Sequence, residues 1–178
     1  MVTLLHICCG PCATETVAHW REAGHDVTGF FFNPNIHPFM EYRRRLTGAE
    51  ELATSAGFEL RLDETYDPAR WFTEVRPQEP DRCRRCIGAR MHRAAREAAA
   101  TGCDAFTTSL AISPWQDRAA IAEEGLKAAQ AVGVAFLYED LRPRYRGSRE
   151  AAKQLGLYRQ KYCGCVLSEW ERYRRKTG

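Results

Sequence analysis

The sequence predicts an α/β fold, a three-layer sandwich with a five-stranded, mainly parallel sheet, and three observations lead there. Short runs rich in β-branched and aromatic residues alternate with longer helical stretches along the chain. Hydrophobic residues make up 44% and charged residues 28% of 178 residues, ordinary for one globular core and short for two. No internal repeat, low-complexity tract or break in composition marks a second unit, so residues 1–178 read as one domain.

The elements follow in order. Residues 3–7 (TLLHI) form a buried strand, followed by a cysteine-rich loop. A helix runs from Cys12 or Ala13 to Ala23, and Gly24 stops it. Residues 26–33 (DVTGFFFN) are a second strand, PNIHP is a turn, and residues 39–56 are helical up to Gly57. Residues 58–62 (FELRL) make a short third strand. Residues 63–81 carry three prolines and no clear period, which predicts a loop with one helical turn near Trp71. Residues 83–100 are helical and residues 104–109 (DAFTTS) are a fourth strand. Residues 117–132 are helical, with Ser113 or Asp117 as the cap. Residues 135–140 (AFLYED) are a fifth strand, and the remainder is mostly helical, forming a basic segment from about residue 142.

In a parallel α/β sheet, ligands gather at the carboxyl ends of the strands, near the point where strand order reverses. The loop at residues 8–12 follows strand one, His37 follows strand two and LAISPWQD follows strand four, so all three share one rim. No phosphate cradle is expected there, because CCGPC has a single glycine and then a proline without an N–H. The start, MVTLLHICC, lacks a basic region, its apolar stretch is too short for a signal peptide, and no run reaches membrane-spanning length. A cytoplasmic address, no membrane partner and reduced thiols are therefore expected. Net charge is +3, but from Arg142 onward 11 Lys or Arg face 3 Glu, a balance of +8 that leaves −5 for the rest. Such a tail suits a phosphate backbone, or simply a solvated helix face.

Seven of the eight cysteines fall into three clusters: Cys8-Cys9-x-x-Cys12, Cys83-x-x-Cys86 and Cys163-x-Cys165. Cys103 stands apart before the fourth strand, where a buried, inert thiol is expected. In a reducing compartment these numbers point to metal or redox chemistry and away from a disulfide frame. A structural zinc or a 4Fe–4S cluster takes four ligands, which leaves three thiols over. Three thiolates suit a second metal with an open coordination position, or a dithiol redox pair with a spare. Cys12 near a helix N-terminus and Cys83 amid RCRRC are expected to be driven toward the thiolate. Each cluster also has a plainer reading: a lone CxxC is half of a zinc knuckle, and a vicinal pair is a small buried hydrophobe used twice.

These residues carry a resemblance to a known family. The chain resembles the cobalamin-independent epoxyqueuosine reductases (QueH) through LLHICCGPC, FFFNPNIHP with MEYRRRL, RCRRCIGARM, FTTSLAISPWQD and GLYRQKYCGC, in that order. YRQKYCGC is the most specific of them. The family more often has Ala at the position of Gly10, and some members carry Asp at that of Cys12, an anionic ligand either way. The resemblance implies an adenine nucleotide alpha-hydrolase-like fold whose nucleotide site is given over to metal. It implies reduction of the epoxide of epoxyqueuosine in the wobble position of a tRNA anticodon, with the oxygen lost as water. It also implies a 4Fe–4S cluster beside one additional metal ion, expected to be iron, which zinc can replace after air exposure. The partners implied are the tRNA and an electron donor that the sequence does not identify.

On that chemistry, Cys8, Cys9, Cys83 and Cys86 are assigned to the cluster and Cys12, Cys163 and Cys165 to the single ion, although the sets can exchange members. Tyr162, beside Cys163, and His37 are the candidate proton donors, with a packing role and a strut as their plainer readings. Arg43, Arg44 and Arg45 on the second helix, and Arg142, Arg144, Arg146, Arg172, Arg174, Arg175 and Lys176 in the tail, are the candidate phosphate contacts. Trp115 is placed to stack on an anticodon base or to pack. Two rivals stand beside this reading. A non-catalytic zinc module that binds RNA predicts colourless protein, and an iron–sulfur tRNA-thiolating enzyme predicts ATP and a phosphate loop after strand one.

Overall fold

A computed structural model of the chain describes residues 1–174, so Arg175 and Lys176 lie outside the described residues. The strands β1 (Val2–His6), β2 (Asp26–Phe31), β3 (Leu60–Leu62), β4 (Ala105–Thr108) and β5 (Ala135–Phe136) form one sheet in the order β3-β2-β1-β4-β5. Every pairing is parallel, with Leu5 opposite Gly29 on one side and Thr107 on the other. Strand order therefore reverses between β1 and β4, and the loops that leave them diverge around a crevice.

The two-residue alternation of strand side chains divides the core into layers. Leu5 and Phe31 pack with Val17 and Trp20 of α1 (Gly10–Glu22) and with Leu46 of α2 (Phe39–Ala56). Their sequence neighbours Leu4 and Phe30 pack on the opposite face, with Met91 of α4 (Arg82–Ala100) and Ile121 of α5 (Arg118–Val132). Each such fully buried Leu, Ile or Phe is worth roughly 1.5–3 kcal/mol. Among the described residues, no helix is long and apolar enough to cross a membrane.

Several boundaries differ from expectation for physical reasons. Residues 63–81 contain α3 (Pro68–Val75), longer than the single turn expected. Asp67 accepts a hydrogen bond from the Arg70 N–H at 2.9 Å and Pro68 sits in the first turn, so one proline starts the helix while Pro77 and Pro80 follow it. Helix α1 begins at Gly10, which makes Cys9 its N-cap and places Cys12 inside the first turn. Gly10 permits this early start, because a Cβ there would lie 2.4 Å from the Gly48 carbonyl oxygen of α2. Strand five pairs only over Ala135–Phe136, opposite Ala105 and Phe106; beyond them the Leu137 N–H still donates to the Phe106 carbonyl, but the Leu137 carbonyl accepts from the Thr107 hydroxyl at 2.8 Å. Asp117 caps α5 through the Ala120 N–H at 3.0 Å, whereas Ser113 accepts from Trp115. The remainder contains α6 (Tyr145–Gln154) and α7 (Val166–Tyr173), with non-helical chain between them that carries the last cysteines. Cys103 is buried at the start of β4, away from the rim, as expected.

Candidate active site

The crevice between β1 and β4 is filled by sulfur. The ligand atoms of Cys8, Cys9 and Cys12 all lie within 4.8 Å of one another, the one such gathered group among the described residues. The local fold explains it: β1 ends, Cys9 takes extended backbone (φ −170°) as the N-cap, and the first turn of α1 swings Cys12 back beside it. Ser109 clamps Cys8, with its Oγ accepting from the Cys8 N–H at 3.0 Å and donating to the Cys8 Sγ at 3.3 Å. Gln160 Nε2 donates to the Cys9 Sγ at 2.9 Å.

His6 braces the strand ends beneath. Its Nε2 faces the Phe32 carbonyl at 3.1 Å and must donate, so Nδ1 accepts from the Thr108 hydroxyl at 2.9 Å. Burial, and then the neighbouring Arg90, lower its pKa to about 4, so the ring is neutral. The thiols respond to one another. Hydrogen bonds from Cys12 and Cys9 hold Cys8 well below the usual thiol range. Cys9 rises even though its contact with Cys12 opposes this, because the contact with Cys8 and burial outweigh it. Cys12 is pushed up by Cys8, Cys9 and burial. The helix N-terminus was expected to lower Cys12, but burial beside two other sulfurs overrides it. The group therefore holds one thiolate readily, and gathering more negative charge there calls for a cation.

Cys83 and Cys86 lie on the first turns of α4, and Cys163 and Cys165 on the chain before α7. These two segments are neighbours, since Arg82 at the start of α4 pairs with Glu171 of α7, and charge on Cys163 or Cys165 disfavours charge on Cys83 and Cys86. Burial raises Cys83, against expectation, and pushes Cys86 up to about 11 with Arg90 opposing. Cys8, Cys9 and Cys12, which the division expected from sequence separated, lie together in the structure, and the other four cysteines come from the two neighbouring segments.

The Cys163 segment is held by a clasp. Arg45 is 2% exposed and pairs with Glu41, and it donates to the Cys163 and Tyr162 carbonyls at 2.7 and 3.0 Å. The His37 N–H donates to the Gly164 carbonyl at 2.8 Å, and the Tyr162 hydroxyl donates to the His37 carbonyl at 2.6 Å. Gly164 has φ 147°, and a Cβ there would press on Asn35, Ile36 and Arg45 at 3.1–3.3 Å, so the Gly of YCGC is required by both conformation and space.

A cavity of about 640 Å³ opens over these groups, lined among others by Cys8, Cys12, Cys163, Arg90, Gln160 and Trp115. Arg90, Gln160 and Gln116, which donates to the Cys163 Sγ at 3.3 Å, are site residues that sequence reasoning passed over. The one signal was position: Arg90 follows Cys86 by one helical turn, and Gln160 lies in the specific YRQKYCGC stretch.

The remaining expectations divide. Trp115 is 82% exposed at the cavity mouth, free to stack and not packed. Tyr162 lines the cavity, but its hydroxyl is committed to the His37 carbonyl and burial raises its pKa. His37 is not in the cavity wall. Its ring is packed among Trp71, Phe72 and Tyr66, its nitrogens have no partner among the described residues, and burial lowers its pKa. Arg45 is buried in the clasp and cannot meet a phosphate. Arg43 pairs with Glu64, Arg142 with Asp140, and Arg144 with Glu15 and Glu22. Arg44 lies over the Tyr158 ring and Arg174 over that of Trp170. Among the described residues, exposed Arg146, Arg149, Arg159, Lys161 and Arg172 form no ion pair, and all but Arg146 line the cavity.

Comparison with known proteins agrees with this geometry. The sequence profile of the family Epoxyqueuosine reductase QueH matches residues 3–171. Epoxyqueuosine reductase QueH of Dehalococcoides mccartyi is 44% identical over 172 residues, covering 96% of this chain and 93% of that protein. The protein of the same name from Thermotoga maritima is 35% identical over 178 residues, covering 95% and 91%. Among solved structures, a predicted subunit of tRNA methyltransferase from Methanocaldococcus jannaschii superposes with a TM-score of 0.59 at 14% identity, covering 86% of this chain and 74% of that one. This last likeness shows the fold alone, and it is the adenine nucleotide alpha-hydrolase-like fold.

Proposed function

This chain belongs to the epoxyqueuosine reductase QueH family, and from that premise we propose that it reduces the epoxide of epoxyqueuosine in the wobble position of a tRNA anticodon to give queuosine. The reaction takes two electrons and two protons, breaks both C–O bonds and releases the oxygen as water. One observation carries the reading: of three thiols gathered at the reversal of strand order, Cys8 and Cys12 open into the same cavity as Cys163.

The donor set fits the metals the family implies. Cys8, Cys9 and Cys12 would hold a single ion, because three close thiols that cannot all ionise unaided become a matched site once a cation is present. Cys83, Cys86, Cys163 and Cys165 would supply the four thiolates that a 4Fe–4S cluster takes. When bound, these groups would supply single electrons and Lewis acidity toward the epoxide oxygen. The chain's own residues do the rest. Ser109 and Gln160 orient Cys8 and Cys9, the clasp fixes Cys163, and Trp115 offers a face to an unpaired base. Work on tRNA places the protein in the cytoplasm, with the electron donor unidentified.

Anaerobic purification and metal analysis test this. Brown protein with about five irons per chain is expected, together with reduction of epoxyqueuosine-containing tRNA by a chemical reductant without ATP. Colourless protein holding zinc alone after strictly anaerobic handling, and inert toward that tRNA, would leave the zinc RNA-binding module standing instead.

The unpaired cations at the cavity mouth make a second prediction. Binding of an anticodon stem-loop weakens steeply with salt, and Arg159→Ala or Lys161→Ala each lowers the slope of log K against log salt by about 0.7–0.9. Arg43→Ala and Arg144→Ala change it little, because those charges are already spent on glutamates. Equal slopes for all four variants, read by fluorescence anisotropy, would remove the proposed footprint.

A further inference from the structure

We infer that Arg90 is a cation shared by the two sulfur groups, placed to set the reduction potential of the four-cysteine group. The inference rests on the proposed function, since it concerns a cluster on Cys83, Cys86, Cys163 and Cys165.

Arg90 is 2% exposed. Taking a guanidinium that far from water costs several kcal/mol unless an opposite charge is beside it. The other deeply buried arginine, Arg45, meets this need with Glu41. Among the described residues no carboxylate pairs with Arg90. Its Nε donates to the Cys86 carbonyl at 3.1 Å, which folds the side chain back along α4 toward the sulfurs. Its terminal nitrogens make no hydrogen bond among the described residues, and the side chain lines the cavity. Burial works against its charge, and Cys86, Cys163 and Cys8, in that order, work for it. Arg90 is thus held against Cys86 and shares the cavity wall with Cys8 and Cys163, so in the absence of a carboxylate the negative charge within its reach is sulfur.

The consequence is directional. A cluster on four thiolates has a potential that follows its net charge and surroundings. A nearby cation in a medium of low dielectric favours the reduced, more negative state. Arg90 would therefore make a cluster there easier to reduce.

The test is a redox titration of the anaerobically purified protein, with the reduced cluster followed by electron paramagnetic resonance and iron measured in the same samples. Arg90→Met and Arg90→Gln are expected to keep the wild-type iron content and to shift the midpoint negative. At a fixed solution potential the ratio of reduced to oxidised cluster falls about tenfold, or about 59 mV for one electron. Arg90→Lys, which keeps the charge, stays near wild type. Loss of iron from both neutral variants but not from Arg90→Lys also supports a required charge. The inference is overturned if the neutral variants are fully loaded at an unchanged midpoint, if Arg90→Lys shifts as far as they do, or if Arg90→Lys also loses its iron. Wild-type protein that takes up no iron would instead remove the proposed function beneath it.

Discussion

Cys9→Ser abolishes turnover yet leaves the cluster's visible absorbance, whereas Cys163→Ser removes both. These two variants separate the division of cysteines proposed above from the one expected from sequence, which gives the opposite pattern. Cys9 lies with Cys8 and Cys12 inside 4.8 Å, buried and bonded to Gln160, so its loss strips a ligand from the single ion and leaves the four-cysteine group untouched. Cys163 belongs to the four-cysteine group on the proposed division, so its loss would open the cluster. Altering an outer-shell partner of a metal ligand commonly costs 10–100-fold, so removing a ligand should lower activity by more than about a hundredfold in each variant. Absorbance and iron content, measured on anaerobic protein beside a turnover assay, decide it. Bleached Cys9→Ser with brown Cys163→Ser would restore the earlier division.

Arg45→Met destabilises the protein by about 3–5 kcal/mol, the cost of stranding a buried carboxylate when its partner is removed. In a chain of this length that corresponds to a fall of about 6–20 °C in Tm. Glu41 would keep only the Tyr158 hydroxyl, at 2.6 Å, and the Cys163 and Tyr162 carbonyls would lose their donors. The double variant Arg45→Met with Glu41→Leu removes the stranded charge and should recover much of the Tm. It would not recover cluster content, because the two carbonyls remain unheld. A single variant that melts within about 2 °C of wild type, measured by calorimetry, would show that the clasp does not depend on this pair.

Where β-branched and aromatic runs met a turn signal, as at Val27 to Phe31 and Ala105 to Thr108, the strands were legible, because local pattern and burial agree there. The shared rim was legible for the same reason, since it needs only strand order and direction. Helix α3 was hidden because three prolines read as breakers until Pro68 proved to be a starter. The excess length given to strand five reflects AFLYED, a good strand sequence whose pairing stops at Phe136, where the Leu137 carbonyl is taken by the Thr107 hydroxyl. Charge was the weakest guide to the site. Arg43, Arg45, Arg90 and Arg144 look alike in a sequence, yet one is spent on a surface glutamate, one on a buried clasp, one on sulfur and one on two acids of α1. Only the fold distributes those partners.

Cys83 and Cys163 are exposed while Cys86 and Cys165 are half-buried. An inorganic centre seated on these four, as proposed, would stand partly open to solvent, where a reductant could deliver electrons by brief collision. Dioxygen would have the same access, and the working lifetime of the enzyme would then follow the oxygen tension around it.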